Sequence, residues 1–281
     1  MAKKALMIGI NRYRLAGADL RGCVNDVKNM ESVLTEIYRF PRRNISRLLD
    51  FAATTAAMKA GISALITEAR RGDVLFLHFS GHGSNVPDKN GDEADKRDEI
   101  LCPTDLDWKK PFLDDWLRSA IDRVKRRGAS LTVVMDCCHS GSITRAVHPP
   151  DAKVIERFLP SPWDLVAEES GRKLRGTVRG TLRSSTATRA PRDVVAVDIP
   201  EILITGCRST QTSADAYIGG SYNGALTYHL CKAIRAARGR LTNRELHTRA
   251  SAALKKSRFD QIPQLEGRQT GLDLPFLGGL D

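Results

Sequence analysis

Five runs of strand length punctuate the chain: ALMIGI (5–10), NISRLL (44–49), DVLFLHF (73–79), SLTVVMD (130–136) and EILITG (201–206). They are continuous in apolar residues rather than alternating, the pattern of strands covered on both faces as in a parallel sheet. Between them the apolar positions switch to a helical period. Val24, Val27, Met30, Leu34 and Ile37 form one stripe, and Met58, Ile62, Leu65, Ile66 and Ala69 form another behind Thr54, a residue suited to an N-cap. Leu113, Trp116, Leu117, Ala120, Ile121 and Val124 make the cleanest stripe, which stops near Gly128. Two more helices are predicted over 223–237 and 243–257. This alternation predicts an open, doubly wound α/β sheet, mostly parallel and flanked by helices, with ligands beyond the carboxyl ends of its strands. The stretch 149–198, rich in Pro, Arg, Ser and Thr, fits no element, and a connection of that length is usually functional or disordered.

Composition narrows the picture. With 281 residues, 41% hydrophobic and 27% charged, the chain can bury one large core or two modest ones. The apolar part of MAKKALMIGI is too short for a secretory leader, and no window approaches the roughly 18 apolar residues of a membrane span, so a cytoplasmic protein without a membrane partner is expected. Six cysteines without a CxxC pair argue against a disulfide scaffold or structural zinc. The net charge of +11 raises the question of nucleic acid, but its distribution answers it. Residues 171–192 hold seven Arg or Lys and no acid, whereas 88–99 hold six acids against three bases. The excess sits in one segment, and no nucleic-acid partner is expected. A nucleotide-binding sheet is disfavoured too, because GINRYRLAG after the first strand lacks the glycine fingerprint.

Two strands end in reactive side chains. DVLFLHFSGHGS sets Ser80 and His82 just past one strand, and VVMDCCHSGS sets Cys137, Cys138 and His139 just past another. Parallel strands would bring these ends to one edge. A thiol attacks a carbonyl only after losing its proton, and a nearby histidine supplies the base and then the acid for the leaving amine. Gly81, Gly83 and Gly141 allow a substrate carbonyl close to backbone N–H groups. A lone cysteine at a strand end is more often a small core residue, but the pairing of thiol, histidine and glycines at matched strand ends favours catalysis.

These motifs resemble those of the metacaspases and their bacterial relatives, cysteine peptidases of caspase fold. The likeness rests on HFSGHGS (78–84) and DCCHSGS (136–142), with support from GCVNDV (22–27), GDEADKRDEIL (91–101), TGCRSTQTSADA (205–216) and PQLEG (263–267). It implies one caspase-like peptidase domain over 1–281: a large-subunit-like part (1–150), a basic flexible linker (151–198) and a small-subunit-like part (199–281). It implies His82 and Cys138 as the dyad, Cys137 as a buried neighbour, and an oxyanion hole from the backbone N–H groups of Gly83 and Cys138. A catalytically weak interaction module of the same fold is the alternative.

The resemblance further implies cleavage after Arg or Lys, with Cys23, Asp26, Ser80 and Asp136 forming the pocket. A buried carboxylate binds guanidinium through charge-assisted hydrogen bonds. The competing reading of Asp26 is a helix N-terminal acid favoured by the dipole, whereas Asp136 at an apolar strand end would be costly unpaired. Family behaviour also implies self-cleavage in the linker, with sites expected between Arg172 and Arg192, and a monomer whose partners are Arg- or Lys-containing peptides and itself. The chemistry requires no cofactor. Calcium is a candidate activator, since Asp98, Asp114 and Asp115 match family ligand positions, although Arg145 stands where a further acid is expected.

Overall fold

The structure, a computed structural model, describes residues 1–88, 96–125, 127–139, 153–166, 202–207 and 211–280. In chain order the strands are β1 (Lys3–Gly9), β2 (Ile45–Leu49), β3 (Val74–Ser80), β4 (Gly83–Pro87), β5 (Arg97–Leu101) and β6 (Phe112–Leu113), then β7 (Ser130–Asp136), β8 (Val154–Glu156), β9 (Ile202–Thr205), β10 (Ala214–Ile218), β11 (Ser221–Gly224) and β12 (Gln264–Glu266). The main helices are α1 (Cys23–Glu36), α2 (Thr55–Thr67), α3 (Asp114–Lys125), α4 (Ala225–Ala236) and α5 (Asn243–Lys256).

The main sheet has the order β12-β9-β7-β3-β1-β2. Its five apolar runs are mutually parallel, and β12 adds antiparallel at the edge. Side chains alternate across each strand, and here both faces are covered. Leu6 and Ile8 of β1 join a core with Met58, Ile62 and Ile66 of α2 and Leu117, Ala120 and Val124 of α3. Ala5 and Met7 join a second core with Val27, Met30 and Leu34 of α1, Leu226, Leu230 and Ile234 of α4, and Leu246 and Leu254 of α5. This two-sided burial explains the apolar runs of β1, β3 and β7, while β2, at the sheet edge, exposes Ser46 and Arg47; each fully buried Leu or Ile contributes about 1.5–3 kcal/mol. Thr54 caps α2 by accepting the Ala57 N–H at 3.2 Å, as its position predicts.

Among the described residues, seven strands escape the hydrophobic pattern, among them β4–β6, which form one antiparallel sheet, and β8, β10 and β11, which form another. One of these corrects the sequence reading directly: Val154–Glu156 lies within the stretch 149–198 that fits no element, yet pairs antiparallel with β10. Three residues are too few to display a period, and only a partner distant in sequence makes them a strand. Residues 154–159 of the expected linker over 151–198 are thus tied to the body of the fold by backbone hydrogen bonds, while 151–152 and 167–201 lie outside the described residues.

Candidate active site

β3 and β7 are neighbours, and their last residues, Ser80 and Asp136, are register partners. Both motifs therefore leave the sheet at the same level. Past the edge, the Gly81 N–H donates to the Asp136 carbonyl at 3.4 Å. Gly83 backs directly onto Cys138: a Cβ there would overlap the Cys138 carbonyl, so only glycine lets the two segments meet. His82 is buried against the Tyr13 ring, with centroids 5.1 Å apart, and its N–H donates to Tyr13 Oη at 2.8 Å. Its Nε2 lies 2.9 Å from the Ala18 carbonyl. A carbonyl only accepts, so Nε2 carries a proton and donates it there.

The two thiols face different surroundings. Cys137 Sγ lies 3.8 Å from His139 Nε2 and belongs to the apolar core on the α3 side. It borders a cavity of about 140 Å³ lined by Leu117, Ile121, Met135 and Leu203. Cys138 Sγ instead accepts the Ser213 N–H and lies 3.2 Å from Cys207 Sγ. Burial, reinforced by Cys207, pushes the Cys138 thiol well above its ordinary range, so it is protonated at rest and needs a base. His139 behaves oppositely: burial would lower it, but Glu99, Cys137 and Asp114 outweigh that and raise it to about 10.

Cys23, Asp26, Ser80 and Asp136 are all fully buried and form one polar pocket. Ser213 Oγ donates to Asp136 Oδ1 at 2.6 Å, and the N–H and Oγ1 of Thr227 donate to its Oδ2 at 2.9 and 2.8 Å. Ser80 Oγ donates to Asp26 Oδ2 at 2.8 Å, and the Gly224 N–H donates to Asp26 Oδ1 at 2.8 Å. An arginine of the same chain fills the pocket. Arg157, also fully buried, donates from Nη2 to Asp26 Oδ2 at 2.7 Å, and from Nη1 to Ser80 Oγ at 2.9 Å and the Asp136 carbonyl at 3.0 Å. Nη1 stands 3.3 Å from Asp136 Oδ1. Burial works against the guanidinium charge, but Cys23, Asp136 and Asp26 hold its pKa well above the usual value. Burial lifts Asp26 to about 7 even with Arg157 beside it.

The backbone of the same segment is gripped as closely. The Arg157 carbonyl accepts the N–H groups of Gly83 at 3.0 Å and Cys138 at 3.3 Å, and its own N–H donates to the Ser213 carbonyl at 2.9 Å. Upstream, β8 pairs with β10; downstream, the Leu159 N–H donates to the Gly83 carbonyl at 3.0 Å. Residues 153–159 thus cross the strand ends as one extended ribbon. The sequence reading misses Arg157, Ser213, Gly224, Thr227 and Tyr13. Ser213 lies inside the quoted TGCRSTQTSADA, so a signal for it existed; Arg157 sits in a stretch without periodicity and gave none.

Among the described residues no three His, Cys, Asp or Glu are grouped to hold an ion, and Asp114 is bonded instead to Arg118 at 2.9 Å. Arg145 and the linker sites between Arg172 and Arg192 lie outside the described residues.

A family model described as metacaspase, peptidase C14 domain, matches residues 3–146. Metacaspase-1A of Aspergillus fumigatus is 33% identical over 265 residues, which cover 83% of this chain and 61% of that protein. Metacaspase-1 of Coccidioides immitis is also 33% identical, with 54% of its length covered. The chain thus spans about three fifths or less of the length of these relatives. Among solved structures, protein GSU0716 from Geobacter sulfurreducens aligns over 100% of both chains with a TM-score of 0.70 at 24% identity. Caspase-1 from Spodoptera frugiperda aligns over 94% of this chain and 86% of its own, with a TM-score of 0.58 at 11% identity. These two show the fold, and with the family model and the relatives they lead to one conclusion: the chain belongs to the metacaspase family, a peptidase C14 domain on the caspase fold.

Proposed function

We propose that this protein is a cysteine endopeptidase that cuts peptide bonds after Arg or Lys, itself included, with Cys138 as nucleophile and His82 as base. The observation that carries the reading is the Arg157 guanidinium held among Asp26, Ser80 and Asp136. Such a pocket stabilises a cationic side chain and would repel an acidic one. The chemistry runs from the strand ends. His82 Nδ1 takes the Cys138 proton, and the thiolate adds to the substrate carbonyl. The N–H groups of Gly83 and Cys138 stabilise the resulting oxyanion; loss of one such donor costs about 10²–10³ in kcat. The imidazolium then protonates the leaving amine, and water releases the acyl group by the reverse path.

The test is hydrolysis of paired fluorogenic peptides ending in Arg or Asp, each with calcium and with chelator, using Cys138→Ala as control. The expected result is turnover of the Arg peptide alone, abolished in the variant. Equal turnover of both peptides, or activity that survives in Cys138→Ala, would sink the assignment. A rate that rises with calcium would return Asp98, Asp114 and Asp115 to a metal role.

A further inference from the structure

We infer that residues 153–159 are a substrate of this enzyme already in place, and that the bond it cuts in its own chain is Arg157–Phe158. The inference rests on the peptidase reading above and deepens it, since it names the bond and the residues that flank it. A buried arginine between two carboxylates could be a purely structural ion pair. Such a pair fixes the guanidinium and leaves the arginine's own backbone unconstrained. Here the carbonyl of the same residue is held at 3.0 and 3.3 Å by the N–H groups of Gly83 and Cys138, the donors that flank the thiol. Side chain and carbonyl are thus fixed together, as recognition of the residue before a scissile bond requires.

Both sides of that bond are held in extended form. Before it, Val154, Ile155 and Glu156 pair antiparallel with Ala216, Asp215 and Ala214 of β10, and the Arg157 N–H reaches the Ser213 carbonyl. After it, Phe158 bridges in parallel with Gly83, and the Leu159 carbonyl accepts Ser84 Oγ. An added strand on a sheet edge gains affinity from its backbone and selectivity from alternate side chains. The alternation is visible. Val154 is exposed, Ile155 is buried in the α2–α3 core, Arg157 fills the acidic pocket, and Phe158 packs with Cys138 and Cys207. The preferred substrate therefore has an aliphatic residue two positions before the Arg and an aromatic residue just after the cut.

The cleavage balances without any co-reactant other than water. Cys138 Sγ bonds to the Arg157 carbonyl carbon as its proton passes to His82. The carbon–nitrogen bond to Phe158 breaks, and the Phe158 amine leaves with the proton from His82. Water then splits the thioester, leaving an Arg157 carboxylate and the free thiol. Until the ribbon leaves, it competes with outside substrates at the millimolar effective concentrations typical of short tethers.

Intact-mass and N-terminal analysis of the purified full chain tests this, run beside hydrolysis of a Val-Ile-Glu-Arg fluorogenic peptide. The expected result is a fragment ending at Arg157 and a partner beginning at Phe158, both absent in Cys138→Ala. Arg157→Lys should preserve the cut. Arg157→Gln should lose it at this bond, and Phe158→Asp, which leaves the acidic pocket intact, should slow it at least tenfold. Peptide turnover with self-cleavage only elsewhere, for example between Arg172 and Arg192, would overturn this inference and spare the peptidase reading. Neither turnover nor self-cleavage would overturn both.

Discussion

Cys137 and Cys138 are chemically identical and adjacent, so their difference lies wholly in what each touches. Cys138 meets the Ser213 N–H and Cys207, and its own N–H holds the Arg157 carbonyl; Cys137 is packed in the α3-side core beside His139. Cys138→Ala should lower kcat/KM by more than about 10⁴-fold, as loss of a nucleophile does. Cys137→Ala should change it by no more than about threefold while costing about 1 kcal/mol of stability through a small cavity. Denaturant melts and peptide kinetics on both variants check this, and the reverse ranking would reassign the nucleophile. Asp26 gives a pH signature. Burial lifts its carboxyl to about 7, so it is neutral below that value and attracts a cation only above it. KM for an Arg peptide should therefore rise as pH falls below 7, by up to about tenfold per unit. The sign for folding is opposite: a raised carboxyl stabilises the fold most at low pH and loses that contribution as pH rises through 7. Asp26→Asn should flatten the KM limb at a high KM, and an unchanged limb would remove this residue from the pocket.

At the scale of elements, the site exists because two parallel strands end in register and a glycine lets the segments beyond them touch. Gly83→Ala tests the second condition. Its Cβ would overlap the Cys138 carbonyl, so the backbone must shift and one of the two N–H groups on the Arg157 carbonyl moves away. The expected outcome is a fall in kcat of about 10²–10³-fold with KM little changed and the circular dichroism spectrum preserved; a matching rise in KM would mean that the pocket had collapsed instead. The same scale explains what was legible. The strands of the main sheet show in the hydrophobic pattern because the central ones, β1, β3 and β7, are largely buried on both faces, whereas β2 at the edge exposes Ser46 and Arg47; Ser80, His82, Asp136 and Cys138 could be named because they lie at or just past the ends of β3 and β7. GSNVP, RDEIL and VIE show no such pattern, for they become strands only through partners elsewhere in the chain. Arg157 was illegible for the same reason: one arginine among many in a polar stretch is singled out only by the carboxylates that the fold brings to it.

The whole molecule decides what a cut at Arg157–Phe158 does. The bond lies between two sequence halves that share one sheet, since β9 from the second half pairs in parallel with β7 from the first. Beneath that sheet one apolar core takes Met7, Val27, Met30 and Phe76 from before the cut and Leu226, Leu230, Ile234 and Leu254 from after it. Polar contacts cross as well: Gly224 and Thr227 donate to Asp26 and Asp136, and the Arg21 and Gly22 N–H groups donate to Asp215 at 2.8 and 3.0 Å. At about 25 cal/mol per Å² of apolar surface, an interface made of a domain's own core holds its halves as an obligate complex is held. Fragments 1–157 and 158–281 should therefore co-elute as one particle under native conditions, part only in denaturant, and unfold in a single transition close to that of intact Cys138→Ala. Gel filtration of the cut protein with and without urea, followed by denaturing electrophoresis of each peak, reads this directly. Separation in native buffer would mean that β7–β9 pairing and the shared core do not survive loss of the covalent link.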